Sequence, residues 1–208
     1  QHHVEHVEAG EPVDVAAHSI SLLTLAPHRF GGPQGVGVLY RNPRVPLASQ
    51  LHGGIQQGGL RAGTENLAAI VGAGAASALR TIEVAPLQHQ LHGGLMERIE
   101  QMTLNGPEPG PDRLPTQLNY SLAGLEGEGL ALALDMQGVA IACGAACVTQ
   151  NLVIPPALTA IGLDAAQAKG NVLLSLGRDS TAADVDHVLE IIPKQVDKLR
   201  TLSPMWDA

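Results

Sequence analysis

From Thr116 onward the chain alternates short apolar runs of strand length with runs of helical period, and this alternation limits its fold more than any single motif does. "TQLNYSLAG" reads as a strand, "EGEGLALALDMQ" as a helix and "GVAIAC" as a buried strand. "PPALTAIGL" follows as a short helix opened by proline, and "NVLLSLG" as a further strand. "TAADVDHVLEIIPKQVDKLRTL" closes the series as a helix capped by Thr181, with Val185, Val188, Leu189 and Ile192 at helical spacing. Strands and helices in turn predict a C-terminal α/β layer.

Upstream, a strand near Ile20 to Leu25 is ended by Pro27 and points at His28 and Arg29, and "VGVLY" forms a second short strand. Between them lies the Gly-rich turn of "LAPHRFGGPQGVGVLY". A second Gly-rich loop, "LHGGIQQGGLRAGT", leads to Thr64, a good N-cap for a helical pattern running from Glu65 to Met102. Pro86 interrupts that pattern and marks a domain seam, and 105–115 is a Pro/Gly loop.

The core is aliphatic: 45% of residues are hydrophobic but only 2% aromatic, a profile that suits helices on a sheet better than an aromatic-rich β-sandwich. Twenty acidic residues oppose twelve basic ones, giving a net charge of −8, and no Lys or Arg run is present. That balance argues against a nucleic-acid or anionic-membrane surface. No apolar run approaches the roughly 20 residues needed to span a bilayer. "QHHVEHVEAG" lacks the basic-then-apolar pattern of a signal peptide, and the only two cysteines lie close together, so a cytoplasmic setting is expected.

Those cysteines, Cys143 and Cys147, are spaced for neither a CxxC redox pair nor a zinc site. Two readings stand: a nucleophilic thiol on a loop, or two small buried hydrophobes. His2, His3 and His6 are read as a solvated terminus rather than metal ligands, so no metal site is expected, and His52, His89 and His92 as incidental. The loop from Gly53 to Thr64 offers backbone amides and a hydroxyl to a phosphate.

Together, "APHRFGGPQGVGVLY", "LHGGIQQGGLRAGTENLAAIVG", "LNYSLAGLEGEGLALALD", "GVAIACGAACVT", "LLSLGRDSTAADVD" and "LRTLSPMW" resemble the cysteine desulfurases of the NifS and IscS type, in the class V aminotransferase family. The resemblance implies an α/β fold like the type I PLP transferases, with residues 1–85 a remnant of the large cofactor domain and 86–208 the small C-terminal domain. It places the family's persulfide-forming nucleophile at Cys147 and a cofactor-phosphate contact across a dimer interface at Thr64. His28 matches the residue before the family's Schiff-base lysine, and Cys143 a position usually held by serine.

At five positions the pattern breaks. Arg29 stands where the lysine should, and a guanidinium stays protonated and delocalised, unable to form a stable aldimine. Ala26 replaces a phosphate-binding serine, and Leu173 replaces the arginine that clamps the substrate carboxylate. His3 and His6 fall where an Asp and a Gln would hold the pyridine ring. The expectation is a degenerate homologue with PLP absent or non-covalent, acting as a binding or regulatory partner in sulfur transfer or iron–sulfur cluster assembly. Alternatives are a sulfurtransferase carrying a persulfide on Cys147, or one part of a split PLP enzyme. Expected partners are a second copy, a full-length desulfurase, or an iron–sulfur scaffold or other sulfur acceptor.

Overall fold

The computed structural model describes residues 13–79, 83–144, 156–204 and 206, which fall into two compact units dividing between 82 and 83. The architecture is mixed α/β, as the sequence predicts. Among the described residues no helix is long and apolar enough to cross a membrane.

In the first unit, β1 (Leu22–Leu25) pairs antiparallel with β2 (Val38–Arg41), Leu22 opposite Arg41 and Leu25 opposite Val38. Helix α1 (Leu67–Ser77) buries Ala69, Ala73 and Ala76 along one stripe and leaves Leu67 and Val71 exposed. Its N-cap is Asn66 and not Thr64. The Asn66 carboxamide oxygen accepts from the Ala69 amide at 3.2 Å, satisfying one of the free N–H groups of the first turn. Thr64 and Glu65 therefore precede the helix, which also stops well short of Met102.

The second unit begins with α2 (Ala85–Arg98), where Pro86 sits in the first turn and helps to start the helix. A strand that the sequence reading missed, β3 (Met102–Leu104), follows and pairs with β4 (Gln117–Leu122). Helix α3 (Gly127–Asp135) comes next, then β5 (Ala142–Cys143). Two short helices, α4 (Pro156–Ala160) and α5 (Ala165–Lys169), precede β6 (Asn171–Ser175) and α6 (Ala182–Leu202). The sheet order is β3-β4-β6-β5, antiparallel throughout.

Strand β5 is shorter than "GVAIAC" suggested because its first residues finish α3. The Gly138 amide bonds to Asp135 O at 3.0 Å and the Val139 amide to Leu134 O at 3.0 Å, with Gly138 at φ 77°. This is a Schellman end, and Val139 is the apolar residue it tucks into the core.

Alternate residues Leu118, Tyr120 and Leu122 of β4, with Val172 and Leu174 of β6, join α2, α3 and α6 in one core. From α6 come Val185, Leu189, Ile192 and Val196, and Thr181 caps it as expected, its hydroxyl accepting from the Asp184 amide at 3.2 Å. Pro193 lies inside this helix and has no N–H to give Leu189 O. Arg98 supplies the missing donor, its Nη1 lying 2.8 Å from that carbonyl. The same crossing needs Gly94, where a Cβ would fall 2.7 Å from the Leu189 methyls.

Candidate functional site

Strand β1 delivers the chain to Ala26, and a 3-10 turn, Pro27–Phe30, carries His28 and Arg29. The turn is closed by Arg29 N to Ala26 O at 2.9 Å and Gly32 N to Pro27 O at 2.8 Å. Gly31 takes φ 90° to end it, which a β-carbon would disfavour. Pro27 is buried, and Pro33 lies so near Gly72 that a Cβ there would come within 2.9 Å of the ring. Buried proline on one side and α1 on the other thus fix the turn, while His28 and Arg29 both face solvent.

Thr64 is exposed on the loop into α1. That loop is held by its own groups: the Gln56 carboxamide oxygen accepts from Gly63 N at 3.3 Å, and Gln57, Gly58 and Gly59 all adopt positive φ. Among the described residues, no hydrogen bond or ion pair joins His28, Arg29 and Thr64 to one another.

The chemistry of these side chains does not fit a covalently held PLP. The three lysines of the chain are Lys169, Lys194 and Lys198, all in the second unit, so no lysine amine accompanies the Arg29 turn in its own unit. Ala26 caps that turn without any side-chain hydrogen bond, where a serine hydroxyl would be available to a phosphate.

The thiols belong to the other unit. Cys147 lies outside the described residues. Cys143 is half-buried on the edge strand β5, opposite Val172, and burial together with the Glu128 carboxylate pushes its pKa up. Such a shift suppresses the thiolate and makes Cys143 a poor nucleophile at neutral pH. Leu173 is half-buried on the central strand β6, between Asn119 and Ala142, and offers no charge to a carboxylate.

One polar cluster escaped the sequence reading. His92, read as incidental, has its Nδ1 2.9 Å from the Tyr120 hydroxyl and its Nε2 3.0 Å from Glu108. Burial raises the pKa of the Tyr120 phenol, so the hydroxyl stays protonated. Arg113 pins the same loop by donating to the carbonyls of Asn105 and Pro107. These partners lie 16 and 28 positions from His92 and share no periodicity with it, so no local signal announces them. The cluster ties the 105–115 loop to α2 and β4.

A sequence profile described as aminotransferase class-V matches residues 8–188. The chain is 41% identical over 202 residues to cysteine desulfurase IscS of Clostridium botulinum (strain Hall), an alignment covering 94% of this chain and 51% of that protein. To cysteine desulfurase IscS of Dictyoglomus turgidum it is 36% identical over 200 residues, with 93% and 50% covered. Among solved structures, a NifS-like protein superposes with a TM-score of 0.79 at 28% identity, over 95% of this chain and 52% of that one. A structure described as SspA in complex with cysteine gives 0.67 at 26% identity, over 86% and 50%. The chain spans about half the length of the curated relatives it matches.

Proposed function

Because the chain belongs to the class V aminotransferase family, we propose that it is a cysteine desulfurase-like protein that holds no PLP aldimine and works as a binding or regulatory partner in sulfur transfer or iron–sulfur cluster assembly. The observation that carries this reading is Arg29. The motif resemblance aligns it with the family's lysine, and it sits on a well-fixed turn in a unit that contains no lysine. A guanidinium is a delocalised cation and offers no free amine to a carbonyl. Leu173 points the same way, since an apolar side chain leaves a bound carboxylate without its ionic partner.

The proposed partner is a second copy or a full-length desulfurase, and an iron–sulfur scaffold or other sulfur acceptor is proposed for the thiol loop. Support comes from α1, whose Leu67 and Val71 are each 70% exposed beside Ile70 at 40%. The test is an absorption spectrum of the purified protein with and without added PLP, on a species whose mass is fixed by light scattering at two concentrations. The expected spectrum shows no band that borohydride or excess cysteine abolishes, and such a band would overturn the reading. Mass is expected above that of one chain; a strict monomer at both concentrations would remove the self-pairing partner.

A second reading keeps the protein an enzyme. Cys143 ends β5, the edge strand of the described sheet, and Cys147 follows four positions later in the sequence. In this reading the Cys147 thiolate attacks the outer sulfur of a donor persulfide, the S–S bond breaks, the donor thiolate leaves, and Cys147 carries the persulfide with no net redox change. Cys147→Ala is expected to abolish persulfide labelling and sulfur transfer. Unchanged labelling would exclude it.

A further inference from the structure

Past the end of α6, Trp206 lies over the turn that precedes α3. The Ser203 amide bonds to Arg200 O at 3.0 Å and the Trp206 amide to Ser203 O at 3.3 Å, bringing the indole over Arg200 with the guanidinium carbon 4.0 Å from the ring centroid. Arg200 is only 5% exposed, its Nε donates to Ala123 O at 3.0 Å, and its Nη2 is buried without a hydrogen-bond partner among the described residues. The next residue, Gly124, lies directly under the indole. It adopts φ 78°, and a Cβ there would run into the ring at Cε3.

Three residues further on, the same turn presses on the thiol-bearing strand. At Gly127, the first residue of α3, a Cβ would collide with Asn171 O of β6 and lie 3.4 Å from Cys143 Cβ. Leu125, between the two grips, is buried in the core. A segment of five residues, 123–127, is therefore held by Arg200 and Trp206 at one end and abuts β5 at the other. The first turn of α3 also carries Glu128, the charged group that bears on the Cys143 thiol.

We propose that Arg200 and Trp206 form a clamp that, through the turn 123–127, positions α3 against β5 and governs how open Cys143 is to electrophiles. With the clamp closed, Gly127 packs beside Cys143 and the strand stays seated on β6. With it released, the start of α3 loses its outer support, Glu128 moves away from the thiol, and β5, two residues long at the sheet edge, is free to lift. The inference concerns the second unit alone and does not depend on whether Cys147 carries sulfur.

Iodoacetamide alkylation tests it in a Cys147→Ser background, where Cys143 is the single thiol and its thiolate displaces iodide to form a thioether. Trp206→Ala and, independently, Gly124→Ala, which pushes the ring off its seat without altering either clamp residue, are expected to alkylate about tenfold faster at pH 7 and to move the pH midpoint of the reaction downward. Trp206→Phe keeps an aromatic face over the guanidinium and is expected to stay near the parental rate. Trp206 is the only tryptophan, so its fluorescence reports directly whether the ring has left. Leu95→Ala, a buried change in α2, controls for loss of stability without touching the clamp. An unchanged alkylation rate in Gly124→Ala, with fluorescence showing the ring displaced, would overturn the proposal. So would equal acceleration in Leu95→Ala, and if Trp206→Ala does not fold, the Gly124→Ala and Trp206→Phe pair decides.

Discussion

Leu134→Ala is expected to lower the unfolding free energy by about 3 to 4 kcal/mol, while Leu132→Ala two residues earlier changes it by less than about 0.5 kcal/mol. Leu134 has no solvent exposure and sits in the α3 face shared with β4, β6 and α6, whereas Leu132 is 71% exposed on the opposite side of the same helix. Truncating Leu134 removes three carbons from a closed core. Its surroundings are strands and a long helix already locked by hydrogen bonds, so they collapse little into the space. Urea melts check the pair: the midpoint should fall steeply for Leu134→Ala with little change in slope, because the surface exposed on unfolding is nearly the same. Equal midpoints for the two variants would contradict the placement of α3.

Gly170→Ala should be nearly as damaging for a different reason. A Cβ on Gly170 would meet the carbonyl oxygen, carbonyl carbon and amide nitrogen of Leu122, all backbone atoms of β4. The Leu122 amide bonds to Gly170 O at 3.0 Å, so the two chains touch where β4 ends and β6 begins. No rotamer change relieves a backbone collision. The strands must part, taking Leu122 and its partner Met102 of β3 with them. The expected cost is about 3 kcal/mol, toward the upper end for overpacking, and a drop of roughly 10 °C in Tm. Gly129→Ala gives the contrast: nothing lies within 4 Å of its Cβ, and it is inside α3. There alanine should stabilise by about 0.5 to 1 kcal/mol through helix propensity and reduced chain entropy. Calorimetry on both variants reads the opposite signs directly.

What the sequence disclosed and what it hid follow from the range of the interactions involved. Thr181 was legible as a cap because its partner Asp184 is three residues away, and β4 and β6 because strand length and β-branched or aliphatic content are local. β3 was hidden because its three residues follow a helix without a break in hydrophobic pattern and become a strand only by pairing with Leu122, Ser121 and Tyr120. α1 was started two residues early because Thr64 and Asn66 are both good caps, and only the backbone at Asn66 decides between them. For the candidate site, Arg29 and Leu173 are visible in the one-dimensional pattern as departures from what the family resemblance implies. The clamp of Arg200 and Trp206 on Ala123 and Gly124 is not, since its bond spans 77 positions.

The pairing of α2 with α6 bears on how the protein is made. Arg98 reaches Leu189 across 91 residues, and β4 finds β6 only after α3 and the segment beyond β5 have been synthesised. α2, β3, β4 and α3 emerge first, but the core around Leu95, Leu118 and Leu134 is closed only when α6, residues 182–202, arrives. Such non-local closure is slow. The nascent second unit is therefore expected to expose aliphatic surface until α6 is made, and co-expressed holdase chaperones are expected to raise its yield in the cell.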